Sequence, residues 1–212
     1  EDMLYGNDGL RRRRFGHERF FTLIHQALHR RHFILSAVSG LLVGTSAQAQ
    51  TRKAPLILVL GDSLSAEYGL ARGTGWVALL EKRLAQEEIA ATVVNASVSG
   101  ETTSGGRSRL AALLTQHQPS QVVIELGGND ALRGLPLKNT EEDLTWMVQT
   151  AQKSGAKVLL VGMQVPPNYG PDYANRFAAT FTTVAKARKV GVVPFFLKGV
   201  ADGPDPTRLF QP

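Results

Sequence analysis

Apolar and polar positions along this chain alternate between two rhythms from Pro55 onward. Short continuous apolar runs, Pro55 to Leu60, Ala91 to Asn95, Gln121 to Leu126, Lys157 to Met163 and Val192 to Phe196, read as buried strands. Between them lie segments whose apolar residues recur at helical spacing. Trp76 to Glu87 carries Val77, Leu80 and Leu84 on one face, and the next helix carries Leu110, Leu113 and Leu114 and ends near His117. A third is predicted to start at Thr140-Glu141-Glu142-Asp143, which has the form of a capping box, and to bury Leu144, Met147, Val148 and Ala151. A fourth, Tyr173 to Lys189, turns Phe177, Phe181 and Val184 inward.

Continuous apolar strands alternating with amphipathic helices predict a parallel sheet covered on both faces. With right-handed crossovers this is an α/β fold, a three-layer α/β/α sandwich with a five-stranded parallel sheet of flavodoxin-like type. Ligands bind such sheets at the carboxyl ends of the strands. The loops there are Gly61-Asp62-Ser63-Leu64, Asn95-Ala96-Ser97-Val98-Ser99-Gly100-Glu101-Thr102 and Gly127-Gly128-Asn129-Asp130. All are rich in Gly, Ser, Asn and Asp, and all are predicted on one edge.

The 212 residues suffice for one domain with a sizeable core, and 43% hydrophobic content excludes a disordered chain. The formal charge of +6 suggests nucleic acid until it is divided along the chain. Residues 1–49 hold seven Arg and four acidic residues, so half of the excess lies there. The remaining basic residues are scattered without aromatic interleaving, and no nucleic-acid partner is expected. With no cysteine, disulfides and thiolate metal sites are excluded.

Residues 1–49 read as an N-terminal extension and export signal, with the domain at 50–212. His29 to Gln50 runs from a basic region through an apolar stretch, Phe33 to Val43, to the small-x-small site Ala47-Gln48-Ala49. Cleavage near Ala49 predicts a periplasmic or secreted bacterial protein, and the apolar stretch is too short for a stable membrane span. Arg30-Arg31-His32-Phe33 also resembles a twin-arginine signal. The bland reading is a basic amphipathic helix of the mature protein. The chain starts at Glu1 rather than Met, and residues 1–28 are read as lying outside the fold.

A serine delivered to a sheet edge can act as a nucleophile when a base and an oxyanion hole meet it. Ser63 is that candidate. Its own N–H, the N–H of the side-chain-free Gly100 and the non-titrating amide of Asn129 are candidate oxyanion donors. Together with Met163-Gln164, Pro167-Asn168-Tyr169-Gly170 and Val193-Pro194-Phe195-Phe196, the three loop blocks resemble the GDSL (SGNH) hydrolases, specifically the bacterial arylesterase, acyl-thioesterase and lysophospholipase branch. The resemblance runs from about residue 55 to the end. It implies Ser63 as nucleophile, Gly100 and Asn129 in the oxyanion hole, an acyl-serine intermediate, an acyl ester or thioester as the small-molecule substrate, and no metal or cofactor. Asp62, Leu64, Ala131, Leu132, Pro167, Asn168 and Tyr169 are placed near the substrate by position alone. A monomer is expected.

The resemblance also implies an Asp-x-x-His block beyond Pro212, and the sequence contains none. Both the catalytic His and its Asp partner are therefore missing from these residues. His117 precedes the third strand, roughly 20 Å from the active edge at about 3.3 Å per strand residue, too far for a general base. The expectation is a truncated, nearly inactive chain. Asp202 and Asp205 are read as turn residues, Asp62 and Asp130 as loop-holding acids, and Trp76 and Trp146 as packing residues. Each block also has a bland reading: Ser63 as a helix N-cap, Gly100 as a turn residue, Asn129 as an Asx turn. A non-catalytic α/β domain that cradles an anion in its Gly-rich loops is the competing function.

Overall fold

A computed structural model describes residues 54–202. The expected export signal, with its cleavage near Ala49, lies outside them, as does Asp205. Among the described residues two units are distinguished: the first runs to Leu197, and the second contributes Lys198 to Asp202. In the second, the Gly199 N–H donates to the Asp202 carboxylate, a turn contact. The first holds the whole sheet and the helices that cover it.

Five strands form that sheet: β1 (Leu56–Gly61), β2 (Thr92–Asn95), β3 (Gln121–Glu125), β4 (Lys157–Val161) and β5 (Gly191–Val193). Their order is β2-β1-β3-β4-β5, every pairing parallel. The helices are α1 (Trp76–Gln86), α2 (Thr103–His117), α3 (Gly128–Leu132), α4 (Leu137–Lys153) and α5 (Pro171–Arg188), with a 3-10 turn at Pro167–Tyr169.

Strand alternation sorts the core into two faces. Leu58, Leu60, Val122, Ile124 and Leu160 join Leu110 of α2, Leu144 and Met147 of α4, and Phe177 and Phe181 of α5 in one buried cluster. Ile57, Val59, Val123 and Val161 are buried outside it, as are Val77, Leu80 and Leu84 of α1. So α2, α4 and α5 cover one face and α1 the other, giving the three predicted layers. The chain leaves β1 to one side for β2 and then crosses over β1 to β3. That reversal places a crevice at the carboxyl ends of β1 and β3.

Helix faces fall where the periodicity puts them, and several boundaries do not. The capping box at Thr140 does not form. α4 begins three residues earlier behind Pro136, and Thr140 is fully buried with its hydroxyl turned to Asp130 Oδ1, 3.4 Å away. α5 likewise begins earlier than Tyr173, at Pro171, whose fixed φ and missing N–H suit a first helical turn. β5 stops at Val193 rather than Phe196: Gly162 N–H donates to the Val193 carbonyl at 2.8 Å, but the Gly162 carbonyl is reached by the N–H of Phe196, one residue out of step with the ladder. Among the described residues, no helix is long and apolar enough to cross a membrane.

Candidate active site

The turn after β1 is wound tightly around Asp62. Its carbonyl accepts from the N–H of Ser65 at 3.2 Å and of Ala66 at 2.9 Å, while the Ser63 carbonyl accepts from Tyr68. Asp62 Oδ1 also accepts from the Leu64 N–H at 3.1 Å. These bonds occupy the groups around Ser63 and its own carbonyl, and leave its hydroxyl and N–H spare. Among the described residues its hydroxyl has no hydrogen-bond partner, and its N–H meets no acceptor.

The second block reaches β1 by backbone bonds. Ala96 N–H donates to the Val59 carbonyl at 2.8 Å and Val98 N–H to the Gly61 carbonyl at 3.0 Å. Arg109 clamps the loop from α2: its guanidinium donates to the Ala96 carbonyl at 2.9 Å and grips the Glu101 carboxylate through both Nε and Nη2. Arg133 Nη2 holds the Gly100 carbonyl at 2.7 Å. Gly100 has φ +78°, which favours glycine, and its N–H meets no acceptor among the described residues.

Asn129 joins the two loops. It lies in α3, a five-residue helix where the sequence predicts only a loop. Its Nδ2 donates to Asp62 Oδ2 at 3.0 Å and to the Glu101 carbonyl at 3.0 Å. The amide thus contacts the residue before Ser63 and the residue after Gly100. Both of its hydrogens are engaged, so to bind an oxyanion it must share one of them or release it. Asp130, the next residue, is 2% exposed and accepts from the Thr103 N–H at 2.9 Å and from its hydroxyl. Asp62 and Asp130 therefore do hold loops.

Beneath the turn lies Glu125, which the strand-end motifs do not single out. It ends β3, opposite Gly61 of β1, and is wholly buried. Its Oε2 accepts from the Ser65 hydroxyl at 2.7 Å, and Ser65 Oγ in turn accepts from Trp76 Nε1 at 3.1 Å. Burial, and then the charge of Asp62, push the Glu125 carboxyl up to about 8. Burial also raises Asp62, against the hydrogen bond from Leu64. The sequence does carry a signal for it: a lone acid closing the apolar run Val122-Val123-Ile124, just before the Gly-Gly-Asn-Asp block.

The residues expected near substrate separate. Leu64 and Leu132 are exposed, Leu132 at 64%. Ala131 is 1% exposed and packs in the core, and Asp62 is buried with its carboxylate turned to internal donors, so neither presents its side chain to an open pocket. Pro167, Asn168 and Tyr169 form the 3-10 turn, with Tyr169 stacked on Tyr173 of α5 at 6.0 Å. Trp76 packs edge-on to Phe196, and Trp146 carries Arg107 over its ring at 5.1 Å. His117, the one histidine among the described residues, ends α2 just ahead of β3, at the edge opposite Ser63.

Residues 59–211 match the model of the GDSL-like Lipase/Acylhydrolase family. The chain belongs to that family. It is 49% identical over 191 residues to Esterase TesA of Pseudomonas aeruginosa, covering 86% of this chain and 92% of the relative. It is 41% identical over 167 residues to Thioesterase 1/protease 1/lysophospholipase L1 of Escherichia coli K12, covering 75% and 79%. A crystal structure of TesA superposes with TM-score 0.69 at 52% identity, over 70% of this chain and 83% of that one. These relatives are ester and thioester hydrolases by name, and the fold is theirs. In this family member the three Gly-, Ser- and Asn-rich loop blocks meet at one crevice through the side chain of Asn129.

Proposed function

We propose that the chain is a serine hydrolase of carboxylic acyl esters and thioesters, aryl esters and lysophospholipids included, working through an acyl-Ser63 intermediate. The observation that carries this is the set of unused groups at the switch point. The Ser63 hydroxyl, the Ser63 N–H and the Gly100 N–H have no partners among the described residues, although the loops around them are tightly bonded.

In the proposed reaction Ser63 Oγ attacks the carbonyl carbon and its proton passes to a general base. The resulting oxyanion is held by the two free N–H groups and by Asn129 Nδ2. Collapse expels the alcohol or thiol, which takes up the proton, and water then releases the acid from Ser63. No cofactor enters these steps. The one histidine among residues 54–202, His117, lies at the other edge of the sheet. Loss of the triad histidine costs on the order of 10⁶ in kcat in subtilisin. The 212-residue chain alone is therefore expected to be much slower than the same chain joined to a C-terminal segment bearing an Asp-x-x-His block. Both forms, with and without Ser63→Ala, are assayed on p-nitrophenyl acetate. Turnover in the extended form that Ser63→Ala removes supports the reading, and equal rates in all four proteins end it.

Export belongs to the same reading: the protein works in the periplasm or outside the cell after cleavage near Ala49. Its mature N-terminus is expected at Gln50, and N-terminal sequencing of exported protein that still begins upstream of Phe33 would overturn this.

A further inference from the structure

We propose that Glu125 is a positioning residue of this site: its buried carboxyl keeps its proton, and so leaves Asp62 as the anion aimed at the Asn129 amide beside Ser63. This rests on the esterase reading only for the use made of the site, and the geometry stands apart from it.

Glu125 brackets Ser63. Its Oε2 takes the Ser65 hydroxyl on one side of the nucleophile at 2.7 Å and faces the Asp62 N–H on the other at 3.4 Å. The cradle has no spare room, because a methyl group on Gly61 would lie 2.5 Å from Ser65 Oγ and 2.9 Å from Glu125 Oε2. The second oxygen, Oε1, is buried and receives no hydrogen bond. A carboxylate in that position would leave a charged acceptor unpaired in the interior.

The two carboxyls are close neighbours: the Asp62 N–H faces Glu125 Oε2 at 3.4 Å, and the charge of Asp62 acts on Glu125. Two neighbouring carboxyls buried away from water do not both ionise readily, so the pair retains a proton. Asp62 is the better anion, since Leu64 N–H and Asn129 Nδ2 donate to its two oxygens. Glu125 is the better acid, with one oxygen unserved. The remaining surroundings do not reverse this. Ser65 of the turn and Trp76 of α1 are neutral donors, and Asp130 of α3 adds negative charge felt by Asp62. Burial and the Asp62 charge keep the Glu125 proton in place up to about pH 8. Glu125 touches no reacting atom in this scheme and acts through Asp62 and Ser65.

The test needs no turnover. The chain is labelled with ¹³C at the glutamate side-chain carboxyls and ¹⁵N at asparagine side chains, and titrated by NMR. One carboxyl is expected to ionise with a midpoint near pH 8 and to be absent from Glu125→Gln. The Asn129 amide signals should move with that same midpoint in the parent chain. In Glu125→Gln, a neutral isostere, they should stay at their pH 6 positions throughout, whereas Glu125→Ala displaces them at every pH. A Glu125 carboxyl already ionised at pH 6, or Asn129 signals indifferent to it, overturns the inference. If Glu125→Ala does not fold, the parent and Gln titrations still decide. A failed esterase reading shows instead as equal hydrolysis by the C-terminally extended chain with and without Ser63→Ala, which leaves this titration unaffected.

Discussion

The Ser65 hydroxyl donates to Glu125 Oε2 at 2.7 Å, two residues past the candidate nucleophile and from below it. This bond ties the turn after β1 to the last residue of β3, so the two loops that build the crevice share one buried acid. A rigid connection of this kind is what a preorganised oxyanion hole requires, because donors that must be ordered during reaction lose much of their effect. It also makes the site's stability sensitive to protonation.

That sensitivity has a definite sign. The Glu125 carboxyl ionises near 8 in the fold and near 4.5 when unfolded. Between those values the folded state binds more protons than the unfolded state, so stability from this group is full below about 4.5 and is lost as pH rises through 8. Urea midpoints of the parent should therefore fall from pH 5 to pH 8.5. Glu125→Gln should flatten that fall and be the more stable protein at pH 8.5, by at least about 1 kcal/mol, since each pKa unit corresponds to about 1.4 kcal/mol. A parent midpoint that does not decline, or a Gln variant that declines equally, contradicts the assignment.

Gly61 sits against this bond with no space for a side chain. An added methyl would lie 2.7 Å from Ser65 Cβ and 2.5 Å from its Oγ, and Ser65 is itself 1% exposed. Gly61→Ala should cost about 1–3 kcal/mol by overpacking and displace the turn. Urea denaturation gives the first effect. Loss of the Ser65–Glu125 bond, seen in the Glu125 carboxyl shift, gives the second.

Much of this is legible in the chain. The rhythm of Leu58, Leu60, Val122 and Ile124 against Leu144, Met147, Phe177 and Phe181 is burial itself, and it predicts the layers directly. Ser63, Gly100 and Asn129 stand out because strand ends in a parallel sheet share one edge. What sequence does not show is commitment. Asn129 reads as a free amide, but its hydrogens are given to Asp62 and Glu101. Ala131 reads as pocket lining because it follows Asn129, but the unexpected helix α3 turns it into the core. Thr140 has the chemistry of a cap, but α4 already starts at Leu137 and carries it into the interior, 3.4 Å from Asp130 Oδ1. Each difference arises from a contact between residues distant or ambiguous in sequence.

Adjacent glycines in α2 should respond oppositely to alanine. At Gly106 the new methyl would lie 2.3 Å from Leu126 Cδ1, and Leu126 is fully buried with no room to withdraw. At Gly105 the nearest atom is Glu101 Cγ at 3.0 Å, and that side chain, held at its carboxylate by Arg109, has to give by only a few tenths of an ångström. Gly106→Ala should destabilise by about 1–3 kcal/mol. Gly105→Ala should be neutral or gain up to about 1 kcal/mol from helix propensity. Thermal melts of the two variants side by side decide it, and equal losses would mean that α2 is not seated on Leu126 as described.

Asn129→Ala separates the amide's two duties. As a structural link it joins Asp62 Oδ2 to the Glu101 carbonyl, so its loss should free the loop after β2 from the turn after β1. As an oxyanion donor it acts on the transition state, where removing one donor typically costs about 10²–10³ in kcat. In the form that turns over p-nitrophenyl acetate, kcat should fall by roughly that factor while KM changes little, the pattern of an interaction made only in the transition state. A rise in KM with kcat preserved would show that Asn129 positions the ground state and that the two backbone N–H groups carry the oxyanion alone.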